Sequence, residues 1–128
     1  MDKEKSTKQN NKKIANSFIN AINGFKVAYK KERNLKIHII IMCLVIICGF
    51  VLKINATEWI ICLILFALVI SEELINTAIE EIVNIIMPEI NVKAKFIKDV
   101  SAGAVFFSSI ISVIIGLIIF IPKLQIFI

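Results

Sequence analysis

The feature that most constrains this fold is an uninterrupted apolar stretch, IHIIIMCLVIICGFVL, at residues 37–52. It offers no polar face that a soluble helix could turn toward water, whereas a helix in lipid satisfies all of its backbone groups internally. A second apolar stretch begins near Glu58 and a third covers about residues 100–121. The sequence therefore predicts an all-α membrane protein with three transmembrane helices and disfavours a soluble helical bundle.

Two polar segments precede the first span. Residues 1–12 carry almost no apolar side chains and are expected to be a disordered N-terminus. Residues 13–31 alternate apolar residues with lysines and asparagines at helical spacing, which is typical of an amphipathic helix lying on a membrane surface. We therefore expect a tail at 1–12 and one integral-membrane domain at 13–128.

Positive charge is concentrated at one end of the chain. Ten of the fifteen basic residues lie within the first 36 positions, and three more lysines fall in a predicted loop at 88–98. Beside membrane spans, such charge indicates the cytoplasmic side and anionic headgroups rather than a nucleic-acid partner. The sequence thus predicts a multi-pass protein of the bacterial inner (cytoplasmic) membrane, with its N-terminus inside and the 53–58 turn and C-terminus outside.

The second predicted helix carries the most informative polar residues. It should start near Glu58 with Thr57 as its N-cap, stop at Pro88, and extend about 45 Å, which exceeds the hydrocarbon thickness. Its C-terminal half should therefore emerge into the cytoplasm. Within this half, four polar side chains fall inside about 80° of arc: Glu73, Asn76, Glu80 and Asn84.

This stripe has two interpretations. Carboxylates are the usual protein ligands of Mg²⁺, and a carboxylate near a lipid hydroxyl could act as a general base. The alternative is a helix end that is merely solvated at the interface. Glu32 should lie at the same depth as Glu80, so that the two could share a divalent ion. Lys98-Asp99, which opens the third span, could meet a phosphate or serve only as an interfacial pair.

Familiar nucleotide-binding motifs are absent from the sequence. It has no GxxxxGK[ST] loop and none of the protein-kinase signatures, and it contains four glycines in all. A nucleotide would therefore be held by carboxylates, Mg²⁺ and scattered basic groups. His38 is the single histidine, which we interpret as an interfacial packing or hydrogen-bonding group.

Three segments in order resemble the prokaryotic diacylglycerol kinase/undecaprenol kinase family. They are ELINTAIE at 73–80, AKFIKD at 94–99 and AGAV at 102–105, supported by Gly24, Glu32, Asn34 and His38. The resemblance covers about residues 13–121. The chain departs from the family pattern at Asn84, where the family often has Asp, and at Lys13 and Asn20 near the expected nucleotide end.

The resemblance implies both an activity and a set of roles. Glu73 would be the catalytic base for a lipid hydroxyl, with Asn76 orienting the site. Glu32 and Glu80 would ligate Mg²⁺ and hold the ATP phosphates, and Lys98 and Asp99 would contact the nucleotide. It also implies a homotrimer of chains with one surface helix and three spans, with sites between subunits.

We therefore expect a lipid kinase that transfers the γ-phosphate of ATP to a membrane lipid. Undecaprenol is the expected acceptor and diacylglycerol the alternative. A hypothesis of a different class is a non-enzymatic oligomer in which the acidic stripe lines a polar pathway. A pore would not require Glu32 and Lys98-Asp99 at one depth, which favours the kinase.

Overall fold

The computed structural model describes the backbone of all 128 residues and every side chain except that of Phe127. Over these residues it has four helices, α1 (Asp2–Lys31), α2 (Arg33–Val51), α3 (Ala56–Ile86) and α4 (Val92–Phe127). The chain divides into two compact units, Met1–Arg33 and Asn34–Ile128. The first unit is thus the helix α1, and the second contains α2, α3 and α4.

Three of the helices in the described residues, α2, α3 and α4, are long and apolar enough to cross a membrane. This confirms the predicted all-helical architecture and its three spans. The apolar core of the second unit is small, centred on Ile54, Cys62 and Ile119. Many large apolar side chains on all three helices remain exposed, which is expected where lipid rather than water surrounds a helix.

Helix α1 begins much earlier than the sequence predicted. It is continuous from Asp2, so residues 2–12 are helical in the structure where a disordered segment was expected. These residues contain no glycine or proline, and their Lys, Glu and Gln side chains favour helix. Asp2 and Glu4 in the first turn and Lys30 and Lys31 in the last also complement the helix dipole.

The cap of α3 differs from the prediction. Asn55, not Thr57, is the N-cap: its Oδ1 accepts from the backbone N–H of Glu58 at 2.9 Å, and the Glu58 carboxylate accepts from the backbone N–H of Asn55 at 2.9 Å. This reciprocal capping box satisfies two donors that a helix start otherwise leaves unpaired. The predicted cap at Thr57 was wrong. Asn55 is followed three residues later by Glu58, and this spacing is the sequence signature of a capping box.

The third span starts earlier and ends later than predicted. Asn91 caps α4 by accepting a hydrogen bond from the backbone N–H of Lys93 at 2.7 Å. The loop between α3 and α4 therefore ends at Asn91 and not at Lys98. At the other end, Pro122 lies inside the helix. A proline removes one backbone donor. Pro122 lies five residues before the helix ends, and it interrupts the hydrogen-bond ladder there without ending the helix.

Candidate functional site

The centre of the site is the carboxylate of Glu73 on α3. The residue is 2% exposed, which is unusual for an ionisable group. Its Oε2 lies 3.9 Å from Nε2 of His38, one turn inside α2. The short α2–α3 connection makes the two helices antiparallel, so the start of α2 reaches the depth of the polar half of α3. The structure thereby assigns His38 a specific neighbour that the sequence analysis did not identify.

Asn76 and Glu80 continue the polar stripe along α3. Asn76 is 6% exposed and donates through Nδ2 to Oε1 of Glu80 at 3.3 Å. Thr77, on the same side, donates a hydrogen bond from its hydroxyl to the backbone carbonyl of Glu73 at 2.9 Å. Its hydroxyl proton is therefore used within the helix. The carboxylate–amide–carboxylate sequence predicted from helix phase is therefore brought together, with a direct link between its last two members.

Two buried oxygens in this region are unsatisfied. Oε2 of Glu72 and Oδ1 of Asn76 accept no hydrogen bond from any described group. Buried acceptors in native proteins are nearly always paired, so two orphans within five residues indicate a place where a ligand, an ion or ordered water completes the site. The Asn76 amide is oriented by its bond to Glu80, which leaves Oδ1 as the free end.

Carboxylates are the groups of this site that could hold Mg²⁺. Among the described residues, no group of three His, Cys, Asp or Glu side chains converges on one metal position. Mg²⁺ does not need such a cage, since it commonly takes one or two carboxylates and fills its octahedron with water and phosphate oxygens. Glu80, half-buried at the end of the stripe, could supply one such carboxylate.

Glu32 lies at the end of the first unit. Its backbone N–H donates to the carbonyl of Ala28 at 2.8 Å and caps α1. The structure does not test its pairing with Glu80, which belongs to the second unit. That pairing remains a prediction.

Lys98 and Asp99 lie within α4 rather than at its start. Nζ of Lys98 donates to Oδ1 of Asn84, one turn beyond Glu80 on α3. Asp99 forms an exposed ion pair with Lys95 on its own helix. Together these residues line a cavity of about 310 Å³ beside the α3–α4 loop. The structure thus extends the polar stripe from Glu73 to a lysine that lines a cavity.

The fold and the site together define a small membrane protein in which one polar helix face meets a cationic residue beside a cavity. A family model of prokaryotic diacylglycerol kinase matches residues 19–120. The chain therefore belongs to the prokaryotic diacylglycerol kinase family, which confirms the resemblance read from its three segments.

Two relatives show the range of the family. An undecaprenol kinase of Bacillus subtilis is 44% identical over 108 residues, covering 84% of this chain and 88% of the relative. A diacylglycerol kinase of Synechocystis is 33% identical over 109 residues, covering 84% of this chain and 62% of the relative. No solved structure matches the chain.

Proposed function

We propose that this protein is a lipid kinase that transfers the γ-phosphate of ATP to the hydroxyl of undecaprenol. Support for the reaction class comes from family membership, and support for the acceptor from the 44% identity to an undecaprenol kinase. Diacylglycerol is the second candidate acceptor, favoured by the relative that carries that name.

The buried Glu73 carboxylate beside the unpaired Asn76 oxygen is the observation that carries the proposal. In the proposed reaction the lipid oxygen attacks the γ-phosphorus, its proton passes to Glu73, and the bond to the ADP oxygen breaks. Asn76 orients the site by donating to Glu80 while its own oxygen remains available on the substrate side. Because Glu73 is withdrawn from water, its charge acts on the hydroxyl with little screening.

The nucleotide end would be formed by Glu32, Glu80, Lys98 and Asp99. Glu32 and Glu80 would hold the Mg²⁺ of Mg²⁺·ATP, an ion that offsets charge on the phosphate oxygens. Lys98 would present its ammonium group to a phosphate as a point charge. Its bond to Asn84 supports this role, because a neutral partner leaves the positive charge uncompensated.

The proposed setting is the bacterial inner membrane. The lysine-rich start of the chain would place α1, as an amphipathic surface helix, and the active site on the cytoplasmic side, where ATP is available. The family resemblance supports a homotrimer with sites between subunits.

The experiment is transfer of labelled γ-phosphate from Mg²⁺·ATP by the purified chain in mixed micelles, with undecaprenol and diacylglycerol offered in parallel. Label in undecaprenol alone is the expected result. Label in diacylglycerol alone would replace the proposed acceptor. Label in neither lipid, from folded protein, would favour another lipid alcohol as the acceptor first, and the non-enzymatic oligomer with an acidic pathway next.

Replacing Glu73 with glutamine is the matched test of chemistry. Glu73→Gln keeps the shape and removes the proton acceptor, so kcat should fall by about 10²-fold or more while the protein still inserts and folds. Turnover and the thermal unfolding midpoint are measured on the same preparation. Wild-type turnover in this variant would rule out Glu73 as the base.

A further inference from the structure

An apolar cavity of about 220 Å³ lies between α2, α3 and α4, next to the proposed catalytic carboxylate. Its polar end is His38, whose ring contacts Glu73, and its walls begin with Val69 and Ile70, one turn before Glu73. It continues along α3 as far as Cys62. Eight residues of helix correspond to about 12 Å, so the cavity is an elongated channel leading away from the site.

Beyond His38, the lining offers almost no hydrogen-bond donors to a ligand. Ser109 and Ser112 are its only hydroxyl-bearing residues, and each donates to a carbonyl of its own helix, Ser109 to Val105 at 2.7 Å and Ser112 to Ser108 at 2.8 Å. An apolar cavity of this kind stays dry and takes an apolar occupant. Beyond the end formed by His38, the cavity is therefore suited to bind a hydrocarbon chain.

We propose that this cavity binds the first isoprene units of a polyprenyl alcohol whose hydroxyl lies at Glu73. The inference rests on the proposed function for the identity of Glu73 as the acceptor-binding end. In a polyprenol the chain is hydrocarbon from the carbinol carbon onward. In diacylglycerol an ester group is attached to the carbon next to the carbinol, and beyond the His38 end its carbonyl would enter a wall whose two serine hydroxyls already donate to helix carbonyls. The cavity thus selects for a polyprenol by leaving ester oxygens unpaired.

Gly116 provides a means of closing the cavity. It lines the wall on α4, and a Cβ added there meets no atom within 4 Å. Gly116→Phe should therefore fill the channel without forcing the backbone apart. Ile118→Phe is the matched control, because Ile118 is two residues away on the same helix, is 68% exposed and is not part of the lining.

The decisive measurement is photo-crosslinking in micelles with a polyprenol carrying a diazirine near its hydroxyl end, followed by peptide mapping. We expect label on the α3 and α4 segments that line the cavity in the wild type and in Ile118→Phe, and at least a tenfold loss in Gly116→Phe. Label confined to outward-facing segments, or unchanged cavity label in Gly116→Phe, would overturn the proposal. Equal cavity labelling by a diazirine-bearing diacylglycerol would overturn the selectivity.

Turnover measured in parallel separates this inference from the proposed function. We expect Gly116→Phe to raise KM for undecaprenol at least tenfold with KM for ATP unchanged. Cavity labelling without phosphate transfer by the wild type would support the lipid site and reject the kinase. Transfer with unchanged kinetics in Gly116→Phe would support the kinase and reject the site. If Gly116→Phe does not fold, Ser112→Leu narrows the same wall and the same outcomes apply.

Discussion

The acidic side chains of α3 lie in unequal surroundings, although they are close in sequence. Glu73 is buried, Glu80 is half-buried and bonded to Asn76, and Glu81 is exposed. A proton acceptor is more effective when water is excluded, whereas a ligand of a hydrated ion must remain within reach of solvent and phosphate. This gradient of burial along one helix supports the different roles proposed for Glu73 and Glu80.

Glu80→Gln should weaken the use of Mg²⁺·ATP without abolishing turnover. The glutamine oxygen can still accept from Asn76, so the local geometry is kept while the ligand charge is lost. We expect the Mg²⁺ concentration for half-maximal activity to rise about tenfold, equivalent to about 1.4 kcal/mol. A magnesium titration at fixed ATP measures the shift.

The matched control is Glu81→Gln, which removes the same charge from the neighbouring, exposed position on another face of α3. Its Mg²⁺ dependence should match the wild type. Equal shifts in the two variants would mean that only the general negative charge of this region matters, and Glu80 would lose its assignment as a ligand.

At the residue scale, helix phase predicted the stripe correctly because its members share one helix. The contact of His38 with Glu73 was missed because α2 is apolar on all sides, so its pattern does not show which face turns toward α3. Counting depth from the α2–α3 turn would have indicated it, since His38 and Glu73 are similar distances along antiparallel helices. The bond between Lys98 and Asn84 was missed because the predicted loop placed Lys98 outside the helix.

At the scale of elements, the α2–α3 turn is locked by close packing. Lys53 takes a positive φ of 52° and the N–H of Ile54 bonds back to the carbonyl of Gly49 at 3.1 Å, which closes the end of α2. The ring of Trp59 packs on Phe50 with centroids 4.9 Å apart and covers Gly49. This junction sets the register of α2 against α3, and therefore the depth at which His38 meets Glu73.

Gly49→Ala should lower stability. A Cβ at this position would lie 2.7 Å from Cη2 and 2.9 Å from Cζ2 of Trp59, and a packed indole ring cannot move aside as a flexible chain end can. Overpacking of this kind costs about 1–3 kcal/mol, more than the gain of up to about 1 kcal/mol in helix propensity. Thermal unfolding in detergent, followed by circular dichroism, measures the change.

Gly103→Ala on α4 is the control, because a Cβ there meets nothing within 4 Å. It should leave the unfolding midpoint unchanged or raise it through helix propensity alone. If both alanine variants raised the midpoint, the close approach of Trp59 to Gly49 would not constrain the junction.

The helix boundaries show the limit of sequence prediction at this scale. The existence of the three spans followed from apolar length, which the membrane imposes on any spanning helix. The ends depended on local hydrogen bonds from Asn55 and Asn91, and several polar residues near each end could have supplied them. Residues 2–12 have the composition of a disordered segment and also a fair helix propensity, and composition alone could not separate the two.

At the scale of the whole molecule, a single chain leaves most of its apolar surface uncovered. The span windows of α2, α3 and α4 are only 11%, 22% and 17% buried. Lipid can cover such surfaces, and so can other copies of the chain. The partly exposed setting of Glu80 and Lys98 is compatible with a site completed by a neighbouring subunit, as the family resemblance implies. Neither apolar length nor helix phase contains information about that assembly.

Sites shared between subunits predict that two inactive variants can restore each other. If Glu32 of one subunit completes the site formed by Glu73 and Glu80 of the next, a trimer mixed from Glu32→Gln and Glu73→Gln chains contains some intact sites. In a ring of three subunits that contains both variants, one of the three junctions joins a wild-type Glu32 to a wild-type Glu73. About a third of the wild-type activity per trimer should therefore return.

The two variants are co-expressed with different tags and purified through both, and turnover is measured per trimer. Trimers that contain only one of the two variants should stay inactive. Recovery of about one third would mean that neighbouring subunits contribute different carboxylates to one site. No recovery, in mixed assemblies that both tags capture, would mean that Glu32 and Glu73 serve the same subunit, because every chain would then carry one defect in its own site.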